Sequence, residues 1–145
     1  MTSKMLNDGL KAEQNISIVL NADTVVIPKG SAVYLKIGAT GDGVLVVAAP
    51  QGLASNANFY GIAMEAIAVG GIGRVLLYGY FSQGLVTAAA TGSAGATLLP
   101  TGASAGVYGM APGTATALTP HIILVRDLAT AGSESARAYI FLRRA

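Results

Sequence analysis

The sequence predicts an all-β fold, a small antiparallel barrel or sandwich with long loops rich in Gly, Ala and Thr. Apolar residues alternate with a period of two wherever a period is visible, which is typical of strands. The 145 residues include 19 Gly and 26 Ala, and a helix bundle tolerates few glycines because each costs about 1 kcal/mol relative to Ala inside a helix. The length suits one domain, and the absence of Cys excludes a disulfide framework.

The chain is expected to begin with an N-terminal arm at residues 1–14, followed by a single β domain at residues 15–145. The arm is polar and has too few periodic apolar residues for a helix, so we expect that only a partner orders it. In the first strand of the domain, Ile16, Ile18 and Leu20 share one face.

The next two strands differ in their pattern. Segment 33–37 alternates, with three aliphatic side chains on one face and Tyr34 and Lys36 on the other, which predicts a half-buried strand. Residues 38–43 read Gly-Ala-Thr-Gly-Asp-Gly, a turn in which the glycines permit positive φ. Residues 44–49 are apolar on both faces, which predicts a strand covered on both sides.

Two hairpins, at residues 59–81 and 121–143, share a design of strand, small-residue loop and strand, with strands predicted at 59–65, 74–81, 121–127 and 136–143. They match when two residues are inserted in the second loop, which indicates either a weak internal repeat or two similar hairpins. Between residues 75 and 125 the chain has no Asp, Glu, Lys or Arg. This span is either disordered or, as its apolar residues favour, a packed loop-rich β segment that offers a contact surface between subunits.

The ionisable residues give little support for catalysis. His121 is the single imidazole, and without Cys it cannot anchor a common zinc site, so a surface or capping role is expected. Three aspartates beside turns, Asp23, Asp42 and Asp127, are expected to accept hydrogen bonds from nearby backbone amides. No carboxylates are spaced as acid and base partners. We therefore expect no enzyme, no metal site and no cofactor.

Glu65 needs a separate explanation because it interrupts an apolar strand. A buried carboxylate without a partner costs several kcal/mol or becomes protonated. Arg74 lies across the first hairpin and is the candidate partner. An ion pair, or simple exposure at a strand end, is favoured over a catalytic role for Glu65.

The last strand holds the candidate interaction site. One of its faces alternates aromatic and guanidinium side chains, and the candidate protein-interface residues are Arg137, Tyr139, Phe141 and Arg143. Its other face is expected to be core and consists of Ala138, Ile140 and Leu142. Aromatic and Arg side chains are enriched at protein interfaces. Protein contact is favoured, while a second buried face and nucleic-acid binding stay open as alternatives.

Charge and hydropathy argue against two classes of partner. The 9 basic and 7 acidic residues give a net charge of +2 and are thinly spread, so no nucleic-acid partner is expected. No apolar stretch reaches the roughly 20 residues of a membrane span. The start of the chain lacks the pattern of a secretory signal, so we expect synthesis in the cytoplasm without export, and no membrane partner.

Several segments between residues 28 and 81 carry a resemblance to a known family. They are Pro-Lys-Gly-Ser-Ala-Val-Tyr-Leu at 28–35, a Gly-Asp-Gly turn at 41–43, the run from Tyr-Gly-Ile-Ala-Met-Glu to Gly-Arg-Val at 60–75, and Tyr-Gly at 78–79. This succession resembles the small β-barrel decoration, or cement, proteins of tailed-bacteriophage capsids and related virion proteins. The shared pattern is structural, so no individual functional residue carries over.

The resemblance implies a non-enzymatic protein on the capsid exterior of a virion, made in the host cytoplasm. It implies a homotrimer that binds the major capsid protein and clamps neighbouring capsid subunits. Two alternatives remain: a head-fibre, tail-fibre or adaptor component of the virion, and a small carbohydrate-binding module or enzyme. The last would need a pocket that holds Glu65, Arg74 or His121.

Overall fold

A computed structural model describes residues 14–48, 58–86, 94–100, 110–112, 121–127 and 136–143. These residues contain nine strands and no helix, so none of them belongs to a helix that could cross a membrane. The strands are β1 (Asn15–Asn21), β2 (Ala32–Leu35), β3 (Leu45–Val47), β4 (Phe59–Ala63), β5 (Ile72–Val86), β6 (Thr97–Pro100), β7 (Met110–Pro112), β8 (His121–Leu124) and β9 (Ala136–Arg143). The predicted all-β class is confirmed.

Five strands close into a small barrel in the order β1-β3-β2-β4-β5, because β5 also pairs with β1. All these pairs are antiparallel except β1 with β3, which are parallel at Leu20–Leu45 and Asn21–Val46. We call this unit, with the first half of β5, the first barrel. The small-barrel prediction is therefore confirmed.

The remaining strands form a second set around the other half of β5. β5 pairs with β7, β7 with β6, β6 with β8, β8 with β9, and β9 again with β5. The β5–β7 pairing is parallel and is made at Val86 and Met110. We call this unit the second set. β5 has 15 residues and belongs to both units, and a bulge between Phe81 and Gly84 interrupts its pairing with β9.

The first barrel and the second set have the same connectivity and the same register. β2 meets β4 at Ala32–Ile62, and β6 meets β8 in the same way at Thr97–Ile123. The loops before β2 and β6 also correspond: Gly30 N donates to the carbonyl of Ala63 at 2.7 Å, and Gly95 N to the carbonyl of Leu124 at 2.7 Å. Both glycines have positive φ, at 83° and 90°. The two hairpins compared in the sequence occupy corresponding places, but the equivalent bonds from Met64 N to Arg74 O and from Val125 N to Tyr139 O show that the second hairpin has four extra residues and not the predicted two. Their origin by duplication stays a hypothesis.

Two hydrophobic clusters hold the molecule together. The smaller lies inside the first barrel and includes Val19, Val33, Val46, Ala63 and Val75. The larger joins the outer face of the barrel to the second set and includes Ala32, Tyr34, Val47, Ile62, Leu76, Val86, Leu98, Ile122, Leu124, Ile140 and Leu142. Strands β2 to β5 of the barrel therefore have apolar residues buried on both faces, which makes the second set part of the same folding unit.

Burial on both faces corrects one expectation and confirms another. The segment 33–37, predicted to be half-buried, is covered on both sides at Val33 and Tyr34, which are fully buried, one in each cluster. Leu35 and Ile37, predicted to share the apolar face with Val33, are exposed because β2 ends at Leu35. Burial raises the pKa of the Tyr34 phenol above its ordinary value, so this ring stays neutral. Val46 and Val47 are also divided between the two clusters, as the apolar segment 44–49 predicted.

The first predicted strand forms as β1, but the face that carries its isoleucines points to solvent and not to the core. Ile16 and Ile18 are exposed, whereas Val19 and Asn21 on the other face are buried. Asn21 is accommodated because its Nδ2 donates to the carbonyls of Val25 and Ile67, both at 2.9 Å. Asn21 is thus buried with its amide hydrogen-bonded, although the alternation alone predicts an apolar side chain at an inward position.

Element ends and turns account for the remaining differences. The strands predicted at 59–65 and 121–127 end at Ala63 and Leu124, whereas the strand predicted at 74–81 extends from Ile72 to Val86. In the 38–43 turn, Gly38 and Gly43 adopt positive φ, as expected. The predictions for the arm at 1–13 and for 87–93, 101–109 and 113–120 of the uncharged span lie outside the described residues.

Candidate protein-interaction surface

The carboxylates of the described chain have structural partners. Asp23 accepts hydrogen bonds from the amides of Thr24 at 2.7 Å and Ala48 at 2.8 Å. The amide of Gly43 donates to Asp42 at 2.9 Å and that of Ala94 to Asp127 at 2.7 Å, so the predicted turn roles are confirmed. Among the described residues no group of three or more His, Asp or Glu is placed to hold a metal ion. The backbone of His121 lies in β8, and its side chain is outside the description.

Glu65 and Arg74 form the predicted ion pair. Glu65 follows the end of β4, and Arg74 lies opposite in β5. Arg74 donates to Glu65 Oε2 from Nη2 at 3.1 Å and from Nε at 3.3 Å, and its backbone N donates to Oε1 at 3.2 Å. The side chain of Arg74 remains 53% exposed and that of Glu65 40% exposed. This geometry links β4 to β5 at the corner that follows Ala63.

The last strand divides its faces as the sequence predicted. Ile140 and Leu142 are fully buried in the larger cluster. Tyr139 and Phe141 lie on the opposite face and are half-buried. Arg137 and Arg143 belong to β9, but their side chains lie outside the description, so their part in the interface stays a prediction.

β5 contributes two aromatic residues that the sequence reasoning did not include. Tyr80 lies directly opposite Phe141 in the β5–β9 register, and Tyr78 precedes it on the same face. Tyr78 and Phe141 meet edge to face with ring centroids 5.4 Å apart, and Tyr80 stacks on Tyr139 at 6.3 Å and 25°. We call these four residues the aromatic strip. The alternation of Tyr78 and Tyr80 was visible in the predicted strand, but their meeting with β9 depends on register.

Arg126 extends the aromatic strip beyond the end of β8. Its Cζ lies 3.9 Å from the centroid of the Tyr139 ring, which is a cation–π contact. A guanidinium therefore lies beside the aromatic face on a residue that the sequence reasoning had not selected, while the rim positions of Arg137 and Arg143 stay a prediction. Its signal is weak in the sequence, since Arg126 sits in the loop after β8 rather than in the alternating strand.

The backbone beneath the aromatic strip is closely fitted. A Cβ atom at Gly84 would lie 2.8 Å from Cδ1 of Ile140, so a larger residue at this position would require the Ile140 side chain to shift. Gln14 Nε2 donates to the carbonyl of Tyr80 at 2.7 Å and ties the start of the chain to the middle of β5. Ring pairs of this kind contribute about 0.5–1.5 kcal/mol each beyond the area they bury. The aromatic strip is therefore held in place by its own contacts.

The exposure of the aromatic strip distinguishes it from the core. Tyr78 and Tyr80 are 36% and 39% exposed, although both are large amphipathic rings. Fixed tyrosines beside an arginine are the side chains that contribute most to protein interfaces, because they bury large area at small entropic cost. A scan against protein-family models and a search of curated proteins find no match to this chain.

Proposed function

We propose that this protein is a structural virion protein that binds the outer surface of a bacteriophage capsid and stabilises contacts between major capsid subunits. The aromatic strip, with Arg126 beside it, is the surface that binds the capsid. The observation that carries the proposal is the exposure of the Tyr78 and Tyr80 rings, each packed against a half-buried ring of β9. The resemblance of residues 28–81 to capsid cement proteins supplies the identity of the partner.

Two further features support a role in adhesion without catalysis. The described carboxylates are engaged by backbone amides or by Arg74, which suits a scaffold. The low charge content, 11% of residues, makes the surface cheap to desolvate when a partner covers it. In the proposal the protein acts as a homotrimer on the capsid exterior, since several linked contacts raise the occupancy of each site.

The experiment is co-sedimentation of the purified protein with capsids that lack it. Tyr80→Ala removes an exposed ring that stacks on Tyr139, and we expect capsid affinity to fall by at least about tenfold. Tyr80→Phe keeps the ring and should retain most of the affinity. Ile37→Ala is the matched control, because Ile37 is similarly exposed but lies in the turn after β2. Equal binding by Tyr80→Ala and Ile37→Ala would exclude the aromatic strip as the capsid contact.

A carbohydrate-binding module is the second candidate, because exposed tyrosines such as Tyr78 and Tyr80 also suit contact with sugar rings. Calorimetry with soluble oligosaccharides separates the two functions: sugar binding that Tyr80→Ala abolishes, without any capsid binding, favours the module. Imaging of labelled protein on virions tests the fibre or adaptor alternative. Labelling over the whole shell supports the capsid proposal, and labelling at one vertex or along the tail supports a fibre or adaptor.

A further inference from the structure

Arg126 is an exposed cation that the described part of the chain does not neutralise. Its guanidinium lies over the ring of Tyr139, and no carboxylate of the described residues forms an ion pair with it. The neighbouring Asp127 instead accepts a hydrogen bond from the amide of Ala94 at 2.7 Å. A guanidinium has five N–H donors and no acceptor, and contact with a ring face provides no oxygen to accept from them. Arg126 therefore retains donors for a group on another molecule.

The corresponding corner of the first barrel is neutral within itself. The equivalent strand-end hydrogen bonds that align the two hairpins place Glu65 at the position of Arg126, and Arg74 at the position of Tyr139. In the first barrel the carboxylate and the guanidinium pair with each other at 3.1 Å. In the second set a guanidinium replaces the carboxylate and a phenol replaces the guanidinium. The second corner thus keeps a positive charge that a partner has to balance when it covers the surface.

The excess positive charge of the whole sequence lies in the same region. Residues 1–125 contain five basic and five acidic residues, whereas residues 126–145 contain four basic and two acidic residues. Two of these arginines, Arg137 and Arg143, belong to β9, the strand that contributes Tyr139 and Phe141 to the aromatic strip. A local excess of one sign attracts partners of the opposite sign and disfavours like-charged ones. The charge distribution therefore favours an acidic partner for this part of the molecule.

The rings of the aromatic strip add hydrogen-bond donors and apolar area to this charge. The phenol hydroxyls of Tyr78, Tyr80 and Tyr139 make no hydrogen bond to any described residue. A partner that covers them needs acceptors for these hydroxyls, because a buried hydroxyl without a partner is unfavourable. Carboxylate oxygens accept from phenols and from guanidinium groups, and they bind Arg through two parallel hydrogen bonds. The rings themselves favour apolar groups next to the carboxylate.

We propose that the partner of the aromatic strip is an acidic protein segment, which places an Asp or Glu carboxylate on Arg126 and apolar side chains on the rings of Tyr78 and Tyr80. This carboxylate takes the role that Glu65 has in the first barrel. That the segment belongs to the major capsid protein rests on the proposed function, whereas the preference for a carboxylate is measured without capsids. Nucleic acid fits less well, because binding its phosphates takes a larger set of basic residues without acidic ones among them.

Two matched peptides test the preference for a carboxylate. Both are acetylated and amidated; one alternates Asp with Leu and the other alternates Asn with Leu over about six residues. In NMR titrations of the full chain at about 50 mM NaCl, we expect the Asp peptide to bind about fivefold more tightly and to shift the ring signals of Tyr80 and Tyr139. Arg126→Gln should abolish this difference. Arg74→Gln removes the same charge from the corresponding corner and is the matched control, which should keep the difference.

Co-sedimentation with capsids that lack the protein tests whether the capsid supplies the acidic segment. Arg126→Gln should lower capsid affinity by at least about tenfold at about 50 mM NaCl. Arg126→Lys should lower it less, because Lys keeps the charge but lacks the planar fork that binds both carboxylate oxygens. Arg74→Gln should stay within about twofold of the wild type. Circular dichroism melting establishes that each variant is folded.

The outcomes separate this inference from the proposed function. Equal binding of the Asp and Asn peptides, or an Asp preference that persists in Arg126→Gln, overturns the inference. Tighter binding of a short oligothymidylate than of the Asp peptide also overturns it and assigns the surface to nucleic acid. Capsid binding that Arg126→Gln weakens no more than Arg74→Gln overturns the inference and keeps the proposed function. An Asp preference that depends on Arg126, in a protein that does not bind capsids, supports the acidic partner and overturns the proposed function.

Discussion

The first barrel and the second set have the same strand pairing but different side chains at equivalent positions. At one corner of the barrel Glu65 and Arg74 form an ion pair, and at the corresponding corner of the second set Arg126 lies over the ring of Tyr139. The strand pairs that place these residues have the same register. The same strand register therefore forms with an ion pair at one corner and with a cation–π contact at the other. The side chains at these corners can differ without any change in strand pairing.

Burial of the outer faces provides a second contrast between the units. Ala32, Ile62 and Leu76 form a row across β2, β4 and β5 that the larger cluster covers completely. The corresponding row in the second set, Thr97, Ile123 and Phe141, is half-buried. The first barrel is thus a core element of the described part of the chain, whereas the second set leaves part of the same face exposed to solvent.

The largest effect is expected where the two units differ in side-chain volume. Gly61 lies opposite Val33, and its counterpart Ile122 lies opposite Leu98. A Cβ atom at Gly61 would overlap the carbonyl oxygen of Leu76 and approach Cγ1 of Val75 to 2.6 Å. Gly61→Ala should therefore lower the free energy of unfolding by roughly 3 kcal/mol or more, measured by urea denaturation.

The control for this substitution is Gly38→Ala, at a turn position with φ of 77° and open space around the added methyl. It should cost only about 1–2 kcal/mol, the penalty of a left-handed conformation for a residue with a Cβ. Equal losses for the two variants would mean that the β4–β5 contact at Gly61 relaxes easily, and the barrel would then be less tightly closed than the distances indicate.

An intermediate loss of stability is expected from substitutions in the two corresponding rows, of which the row with Leu76 is buried and the row with Phe141 is half-buried. Leu76→Ala should lower the free energy of unfolding by about 2–5 kcal/mol, because it leaves a cavity in the larger cluster. Phe141→Ala at the corresponding position should cost about half as much, since part of the ring is already in water. Thermal and urea unfolding of the isolated protein measure both. A larger loss for Phe141→Ala would show that its row is sealed in solution.

Much of the fold follows from the sequence, and the parts that do not follow depend on distant pairings. Strict alternation correctly divided β9 between a core face with Ile140 and an outer face with Tyr139, because one strand determines its own faces. The length of β5 was underestimated, since the bulge between Phe81 and Gly84 breaks the alternation. The meeting of Tyr80 with Phe141 depends on a register that no local pattern contains.

The same reasoning explains what could be known of the interaction surface. The Glu65–Arg74 pair was accessible because both residues lie in one hairpin with a short connection. Arg126 over Tyr139 uses the equivalent hairpin, but a cation–π contact has no spacing signature of its own. The exposed position of Ile18 required the knowledge that Asn21, on the opposite face of β1, is buried with its amide satisfied.

The smallest loss of stability is expected at the two corresponding corners, where the first barrel has the Glu65–Arg74 ion pair and the second set has Arg126 over the ring of Tyr139. Glu65→Gln removes a half-exposed ion pair and should cost about 0.5 kcal/mol at low salt and almost nothing in 1 M NaCl, because salt screens exposed charges. Arg126→Gln removes the cation–π contact and should cost about 0.5–1 kcal/mol, with little change in 1 M NaCl because much of that contact is packing of the guanidinium on the ring. Urea unfolding at both salt concentrations measures the four values. If 1 M NaCl abolishes the free-energy contributions of both contacts equally, the contact between Arg126 and Tyr139 depends on charge as much as the ion pair does. The distinction between an ionic corner and a packed aromatic corner would then be wrong.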